Sequence, residues 1–258
     1  MDFSIVIPAL NEGLKIGRDV EAAGAFLSAQ GLSGEVIVVD DGSDDETATV
    51  AESAGVPSGV ERRVIRLGSH RGKGSAVRTG MTAARGEFAM FADSGLCVAF
   101  GNALRGLEMI RSGACEIAHG SRRLADSRIR VRRPASRRAL SWLFRTVCLG
   151  VAGAARGLTD TQCGFKVYRG DVARALYAEC ISEGFMFDIE IVLRARRHGY
   201  RVSEFPIEWR CDLDSRLRPG RHIAGSLKEL ARIRRAMRDE ANAPTRAAEE
   251  TDWPDAGD

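Results

Sequence analysis

The strongest constraint on the fold is a short apolar run that ends in two adjacent carboxylates. Residues 35–39 read EVIVV, which predicts a buried strand of the kind found in parallel sheets. Asp40 and Asp41 follow directly, and Ser43 with Glu46 has the spacing of a capping box for the next helix. Ligands of an open α/β sheet bind beyond the carboxyl ends of the strands, so Asp40 and Asp41 are candidates to accept hydrogen bonds from a base or a ribose. Asp41 and Ser43 also fit a simple helix cap.

This pattern of a strand followed by polar residues recurs through the first half of the chain. The other predicted strands are residues 3–7, 63–67, 87–92 and 116–119, with helical patterns between them. Pro8 is expected to end the first strand. The alternation predicts an α/β fold with a mostly parallel sheet and helices on both faces, which a chain of 258 residues can form as one domain.

A lysine between two glycines opens the third predicted helix. Residues 70–74 read HRGKG, and the free N–H groups at a helix start, together with the helix dipole, favour a bound anion. The four-residue spacer of a Walker A motif is missing. Lysine occurs only at positions 15, 73, 166 and 228, so Lys73 stands out as a candidate cation for a phosphate.

The second half of the chain is less regular and strongly basic in one stretch. Nine arginines lie between Arg122 and Arg145, beside an amphipathic helical pattern at residues 136–155. This pattern fits a core-facing helix and a helix on an anionic membrane surface about equally. Nucleic-acid binding is less favoured, because no nucleic-acid motif accompanies the arginines. The expected organisation is a main domain at 1–221, a basic C-terminal helix at 222–240 and a disordered acidic tail at 241–258.

Composition and cysteine usage set expectations about location. With 44% hydrophobic and 28% charged residues, the composition is that of a globular protein. The six cysteines form no CxxC pair and have no zinc-ligand spacing, and no signal peptide is visible, which predicts reduced thiols in a cytoplasmic protein. No apolar run approaches the ~20 residues that cross a bilayer. Contact with the inner face of a membrane is therefore expected to be peripheral.

Seven motifs in a fixed order resemble the family 2 glycosyltransferases. They are IPALNE (7–12), VVDDGSDDET (38–47), RGKGSAVRTG (71–80), FADSG (91–95), GSR (120–122), DTQCGFK (160–166) and GFMFDIE (184–190). The set is most similar to the branch that glycosylates polyprenyl phosphates, the dolichyl-phosphate mannose and glucose synthases, and it covers residues 3–220. This resemblance implies a GT-A type, Rossmann-like fold. It also implies an inverting transfer of a sugar from GDP-mannose or UDP-glucose to a lipid phosphate.

The resemblance implies roles for individual residues as well. The nucleoside would contact Pro8, Ala9, Glu12, Asp40 and Asp41, while Arg71 and Lys73 would close over the donor. The catalytic set would be Asp160 as the acid of the catalytic loop, Arg122 and Lys166 as phosphate-facing cations, and Arg216 with Ser215 in a mobile loop after Trp209. On chemical grounds, Asp160 would orient the substrates if the acceptor is a lipid phosphate, which needs little deprotonation. It would act as a general base if the acceptor is a sugar hydroxyl.

One motif departs from the family pattern. Asp93 matches the first carboxylate of the DxD metal motif, but Gly95 stands where the second is found, and Cys97 follows in place of a glutamine. The implied cofactor is Mg²⁺ or Mn²⁺, and such ions prefer several hard oxygen ligands. We therefore expect Asp93 to be the single protein ligand of an ion that arrives with the donor. Three functions stay open: transfer to a polyprenyl phosphate, transfer to a soluble acceptor, and binding of a nucleotide sugar or lipid phosphate without catalysis.

Overall fold

The computed structural model describes residues 1–130, 157–210 and 223–242, which contain nine strands and seven α-helices. The strands are β1 (Phe3–Ala9), β2 (Gly34–Asp40), β3 (Val60–Arg66), β4 (Phe88–Ala92), β5 (Ile117–Ser121), β6 (Arg128–Ile129), β7 (Phe165–Arg169), β8 (Val202–Pro206) and β9 (Glu208–Trp209). The helices are α1 (Ile16–Ala29), α2 (Thr47–Ser53), α3 (Lys73–Ala83), α4 (Ala103–Arg111), α5 (Gly170–Glu179), α6 (Phe187–Arg197) and α7 (Ile223–Asn242).

Seven of these strands form one mixed sheet in the order β3-β2-β1-β4-β7-β5-β8. β7 runs antiparallel to both of its neighbours, and the other neighbouring strands are parallel. Helices α1, α2 and α4 pack on one face of the sheet, where Ile16 and Leu107 are buried. Helices α3, α5 and α6 pack on the other face, where Val77 and Ile191 are buried. The predicted α/β class, with a mostly parallel sheet and helices on both faces, is confirmed.

The first strand does not end at Pro8, as the sequence suggested, but continues to Ala9. Its pairing with β2 runs to Ala9, whose carbonyl accepts a hydrogen bond from the Asp41 N–H at 2.9 Å. In a parallel strand, the backbone N–H and C=O groups of consecutive residues point to opposite neighbouring strands. Because the Ala9 carbonyl points to the β2 side, the Pro8 nitrogen points to β4. The pairing with β4 has already ended at Val6, and the missing N–H of Pro8 therefore breaks no ladder hydrogen bond.

The C-terminal helix α7 packs on α6 through an apolar contact and an ion pair. Leu230 and Ile233 are buried against Met186 and other apolar side chains of the α6 region. A charged pair, Arg194 with Glu240 at 3.2 Å, lies beside this contact. No helix among the described residues is long and apolar enough to span a membrane.

Several predicted features lie outside the described residues. They are the amphipathic pattern at 136–155, most of the arginine-rich stretch, the loop with Ser215 and Arg216, and the acidic tail after Asn242.

Candidate active site

The carboxyl ends of β1 and β2 carry two loops that are fastened to each other. The Asn11 N–H donates to Ser43 Oγ at 2.8 Å, and the Glu12 N–H donates to Thr47 Oγ1 at 2.7 Å. Asn11 has a φ of 55°, in the left-handed region that asparagine tolerates better than most residues. Its side-chain oxygen accepts a hydrogen bond from the Asp44 N–H. The first and second motifs therefore lie together at the carboxyl edge of the sheet, and we call the region beyond this edge the crevice.

Asp40 is buried at this edge and uses only one of its carboxylate oxygens. Its Oδ1 accepts hydrogen bonds from the hydroxyl and the N–H of Ser43. No described residue donates to Oδ2, which leaves this oxygen for a ligand. The predicted capping box does not form, because α2 begins only at Thr47 and Ser43 bonds to Asp40 and Asn11 instead. Pro8 and Ala9 are buried, so these residues offer a ligand little beyond their backbone.

Asp41 fastens a loop rather than facing the crevice. Its Oδ1 accepts from the Arg71 N–H at 2.9 Å, and its Oδ2 accepts from the Gly72 N–H at 2.9 Å. The Nδ1 atom of His70 lies 2.8 Å from the same Oδ2. Both oxygens are thus occupied by the loop that leads into α3. The Arg71 side chain is half exposed and pairs with Glu183 at 2.5 Å.

The two glycines around Lys73 allow a close contact with another loop of the protein. A Cβ on Gly72 would lie 2.4 Å from the Glu183 carbonyl oxygen, and a Cβ on Gly74 would lie 2.7 Å from the Gly184 carbonyl oxygen. The Ser75 N–H already donates to the Glu183 carbonyl at 3.2 Å. The start of α3 is therefore held against the loop at 182–184.

Lys73, the first residue of α3, forms an ion pair with Asp93 at the end of β4. The Lys73 Nζ lies 2.6 Å from Asp93 Oδ1 and 6.0 Å from the centre of the Phe187 ring. The lysine side chain remains 22% exposed. Burial disfavours the charged amine, but the carboxylates of Asp93 and Asp188 outweigh it and raise the pKa of Lys73. Lys73 is therefore a charged ammonium with access to solvent.

The loop after Asp93 adopts a backbone that favours glycine. Gly95 has a φ of 93° and Leu96 a φ of 49°, both in the left-handed region. The Gly95 N–H donates to Asp19 Oδ2 of helix α1 at 2.7 Å. Asp93 itself lies over Gly164, where an added Cβ would come within 2.1 Å of the carboxylate carbon. A turn that is hydrogen-bonded to α1 therefore stands where the family motif has its second carboxylate.

Arg122, at the end of β5, forms a bidentate pair with Asp160. The Arg122 Nε lies 2.6 Å from Asp160 Oδ2 and its Nη2 lies 2.8 Å from Oδ1, while the Arg122 N–H also donates to Oδ2. The guanidinium lies 5.7 Å from the Trp209 ring centre. Burial works against the ionised carboxyl, but these bonds and the Arg122 charge lower the pKa of Asp160. Asp160 is accordingly a weak base while it holds Arg122.

Lys166 is buried beneath the crevice and does not face it. Its side chain is 1% exposed and its Nζ pairs with Asp188, at the start of α6. The same Nζ lies 5.1 Å from the centre of the Phe91 ring. The sequence resemblance implied a phosphate-facing cation here, whereas the geometry makes this lysine the partner of a buried carboxylate.

One buried thiol, Cys163, lies within electrostatic reach of residues from all three ion pairs. Burial raises the pKa of Cys163 to about 12, and the charges of Arg122, Asp160, Lys166 and Asp93 act on it in that order. Four of the residues predicted for the site therefore converge on one centre. The thiol stays protonated at neutral pH and is not a nucleophile.

Three carboxylates of this region were not predicted as site residues. Asp19 lies on the buried face of α1, and a carboxylate on an apolar helical face was the available signal. Asp188 lies in the motif at 184–190, and its partner Lys166 lies in the motif at 160–166. Glu204 of β8 accepts the N–H groups of Thr159 and Asp160 at 2.7 Å each. No sequence pattern linked that residue to the catalytic loop.

The donor set around Asp93 does not fit a dedicated site for Mg²⁺ or Mn²⁺. Among the described residues, no group of three His, Cys, Asp or Glu side chains is placed to hold a metal ion. Asp93 offers one carboxylate, and Lys73 already occupies its Oδ1. Gly95 offers no side-chain oxygen, and its N–H points at Asp19.

This architecture, a mixed sheet with a charged crevice at the carboxyl ends of β1, β2 and β4, is that of the GT-A glycosyltransferases. The structure is similar to glucosyl-3-phosphoglycerate synthase from Mycobacterium tuberculosis, solved with Mn²⁺, UDP and glucosyl-3-phosphoglycerate. The TM-score is 0.66 at 20% identity, over 91% of this chain and 79% of that one. At this level of identity the similarity concerns the fold.

The sequence comparisons define the family. The model of glycosyl transferase family 2 matches residues 4–176, and the chain belongs to that family. It is 30% identical over 250 residues to a dolichyl-phosphate beta-glucosyltransferase of Dictyostelium discoideum, covering 90% of this chain and 73% of that protein. It is 32% identical over 239 residues to glycosyltransferase AglD of Haloferax volcanii, covering 90% of this chain and 37% of that protein. The resemblance seen in the seven motifs is confirmed.

Proposed function

We propose that this protein transfers glucose from UDP-glucose to a polyprenyl phosphate, with inversion at the anomeric carbon. The similarity to dolichyl-phosphate beta-glucosyltransferases supports glucose as the sugar and a polyprenyl phosphate as the acceptor. The UDP bound by a protein of the same fold supports uridine over guanosine as the base. GDP-mannose is the other donor that the motifs allow, and its binding and transfer are to be compared with those of UDP-glucose.

The proposal is supported by two cations that ion pairs with carboxylates hold in place where the strands of the sheet end. Lys73 with Asp93 and Arg122 with Asp160 bring two partly exposed positive charges to this edge. A leaving diphosphate develops negative charge, and preorganised cations are the groups that stabilise it. Lys73 and Arg122 are therefore placed to stabilise a departing nucleoside diphosphate.

The reaction balances without a protein-bound intermediate. An oxygen of the acceptor phosphate attacks the anomeric carbon and forms a new C–O bond. The bond between that carbon and the diphosphate oxygen breaks, and its electron pair leaves with the nucleoside diphosphate. The acceptor phosphate carries about −1.5 to −2 charge near neutral pH, so no base has to remove a proton first.

Asp160 fits a role in orienting Arg122 better than a role as general base. Its lowered pKa and its bidentate bond leave it a poor proton acceptor in this state. Arg122, held at a fixed angle between Asp160 and Trp209, presents its remaining N–H groups to a phosphate. This assignment favours a phosphate acceptor, since a sugar hydroxyl acceptor would require a free base.

The remaining predicted roles are carried forward as proposals. Asp40 Oδ2 is the proposed acceptor for a donor N–H or hydroxyl of the nucleoside, and Glu12 lies on the adjacent loop. Arg216 is proposed as an additional phosphate contact, although it lies outside the described residues. Peripheral contact with an anionic membrane and a cytoplasmic location also stay predictions, supported by the arginine-rich stretch and the nature of the acceptor.

Asp160→Asn tests the proposed function. The amide keeps one hydrogen-bond acceptor for Arg122 but loses the bidentate pair and the charge, so Arg122 is no longer fixed. We expect UDP-glucose binding by calorimetry to be retained and transfer of labelled glucose to polyprenyl phosphate to fall by ~10²-fold or more. Asp239→Asn, an exposed site on α7, removes the same charge as a control and should leave both values unchanged.

Two results would contradict the proposal. Near-normal transfer by Asp160→Asn would show that the match to the catalytic loop is misleading. Loss of nucleotide binding together with a lowered melting temperature would show that Asp160 supports only the local fold.

A further inference from the structure

Asp93, the first carboxylate of the metal motif, is paired with Lys73 through one of its two oxygens, and its side chain is 38% exposed. Its Oδ1 lies 2.6 Å from Lys73 Nζ, and its backbone N–H donates to the Gly164 carbonyl at 2.9 Å. The carboxylate rests directly on Gly164, which has no side chain to push it away. A divalent ion bound to Asp93 would therefore lie beside the positive charge of Lys73, and like charges in a partly buried site repel strongly.

Gly95, which stands where the family has its second carboxylate, is held in a turn by Asp19. The left-handed φ of Gly95 disfavours any residue with a Cβ, and the Gly95 N–H is bonded to Asp19. Both Asp19 and Gly95 would have to rearrange before a second oxygen ligand could reach an ion at Asp93. The turn at Gly95 therefore disfavours a second carboxylate at this position.

Lys73 has the properties that a diphosphate partner needs. It is charged, 22% exposed and fixed at the first turn of a helix, with the Phe187 ring behind it. An ammonium has three N–H donors, and the pair with Asp93 uses one of them. The other donors are available to diphosphate oxygens while Asp93 holds the nitrogen in place.

We propose that Lys73, held by Asp93, replaces the divalent ion in this chain and that the nucleotide sugar binds without Mg²⁺ or Mn²⁺. This inference rests on the proposed function, since it names how that same site holds the diphosphate of its donor. It departs from the metal expected from the sequence resemblance and from the Mn²⁺ present in the M. tuberculosis enzyme of the same fold.

Calorimetry of the full chain with UDP-glucose and with GDP-mannose, each in EDTA, Mg²⁺ or Mn²⁺, tests the inference. We expect the dissociation constant of the preferred donor to be the same in EDTA as with either ion. Lys73→Met should weaken donor binding in EDTA by ~100-fold, the loss typical of removing a desolvated charged partner. Lys228→Met, an exposed lysine on α7, makes the same chemical change and should not alter binding.

The outcomes separate the two proposals. Binding that requires Mg²⁺ or Mn²⁺, or Lys73→Met binding as tightly as the unmodified chain in EDTA, would overturn the role of Lys73. Failure of both nucleotide sugars to bind under every condition would overturn the proposed function itself. Circular dichroism checks that Lys73→Met folds, and the comparison of EDTA with metal on the unmodified chain holds whether or not that variant is stable.

Discussion

At the scale of single residues, Asp19 is a buried carboxylate that holds the loop after Asp93. Its side chain is 1% exposed, Oδ2 accepts the Gly95 N–H at 2.7 Å, and Oδ1 has no hydrogen-bond partner among the described residues. Burial raises the pKa of Asp19 despite that bond. The ionised form of Asp19 therefore destabilises the folded state at neutral pH.

Asp19→Asn should stabilise the fold in a pH-dependent way. The amide oxygen still accepts the Gly95 N–H, and the charge is gone. Because the folded pKa of Asp19 lies above its ordinary value of 3.8, the destabilisation is full above the folded pKa and disappears as the pH falls below 3.8. Urea unfolding should show the variant more stable at pH 7 and equal to the unmodified chain at low pH. Asp239→Asn, at an exposed site, should show no such difference, and an Asp19→Asn variant less stable at pH 7 would contradict the account.

At the scale of secondary-structure elements, the C-terminal helix α7 supports the donor side of the crevice. Glu229 accepts hydrogen bonds from the Ser182 hydroxyl and from the Gly184 N–H. The loop at 182–184 is in turn the surface on which the start of α3, with Lys73, is packed. The division into a domain at 1–221 and a separate C-terminal helix stays a prediction. In the structure, α7 contacts the loop at 182–184, which positions the start of α3.

Leu230→Ala should destabilise the whole fold through this helix. Leu230 is 1% exposed and fills the contact with Met186, so truncation leaves a cavity that typically costs ~2–5 kcal/mol. Leu227, on the same helix, is 38% exposed, and Leu227→Ala should change the free energy of unfolding by less than ~0.5 kcal/mol. Urea denaturation of both variants measures the difference. Equal effects would show that α7 is not packed as described.

At the scale of the whole molecule, the local patterns predicted the sheet but not the charge pairs. Apolar runs and their spacing identified the strands up to β5, because period and length are local properties. The antiparallel insertion of β7 and the helix α5 were not predicted, since strand order depends on contacts distant in sequence. The pairs of Arg122 with Asp160 and of Lys166 with Asp188 likewise join residues 38 and 22 positions apart. The motifs indicated which residues form the site, and only the fold shows which of them neutralise each other.

The central claim is an inverting transfer of glucose to a lipid phosphate, and the anomeric form of the product tests it most directly. The purified chain is incubated with α-linked UDP-glucose and a polyprenyl phosphate in detergent micelles, and the lipid-extractable product is examined by NMR. Attack opposite the leaving diphosphate, which is the proposed inverting route, predicts a β-linked glucosyl phosphate on the polyprenol. An α-linked product, or glucose recovered only in water-soluble material, would contradict the account.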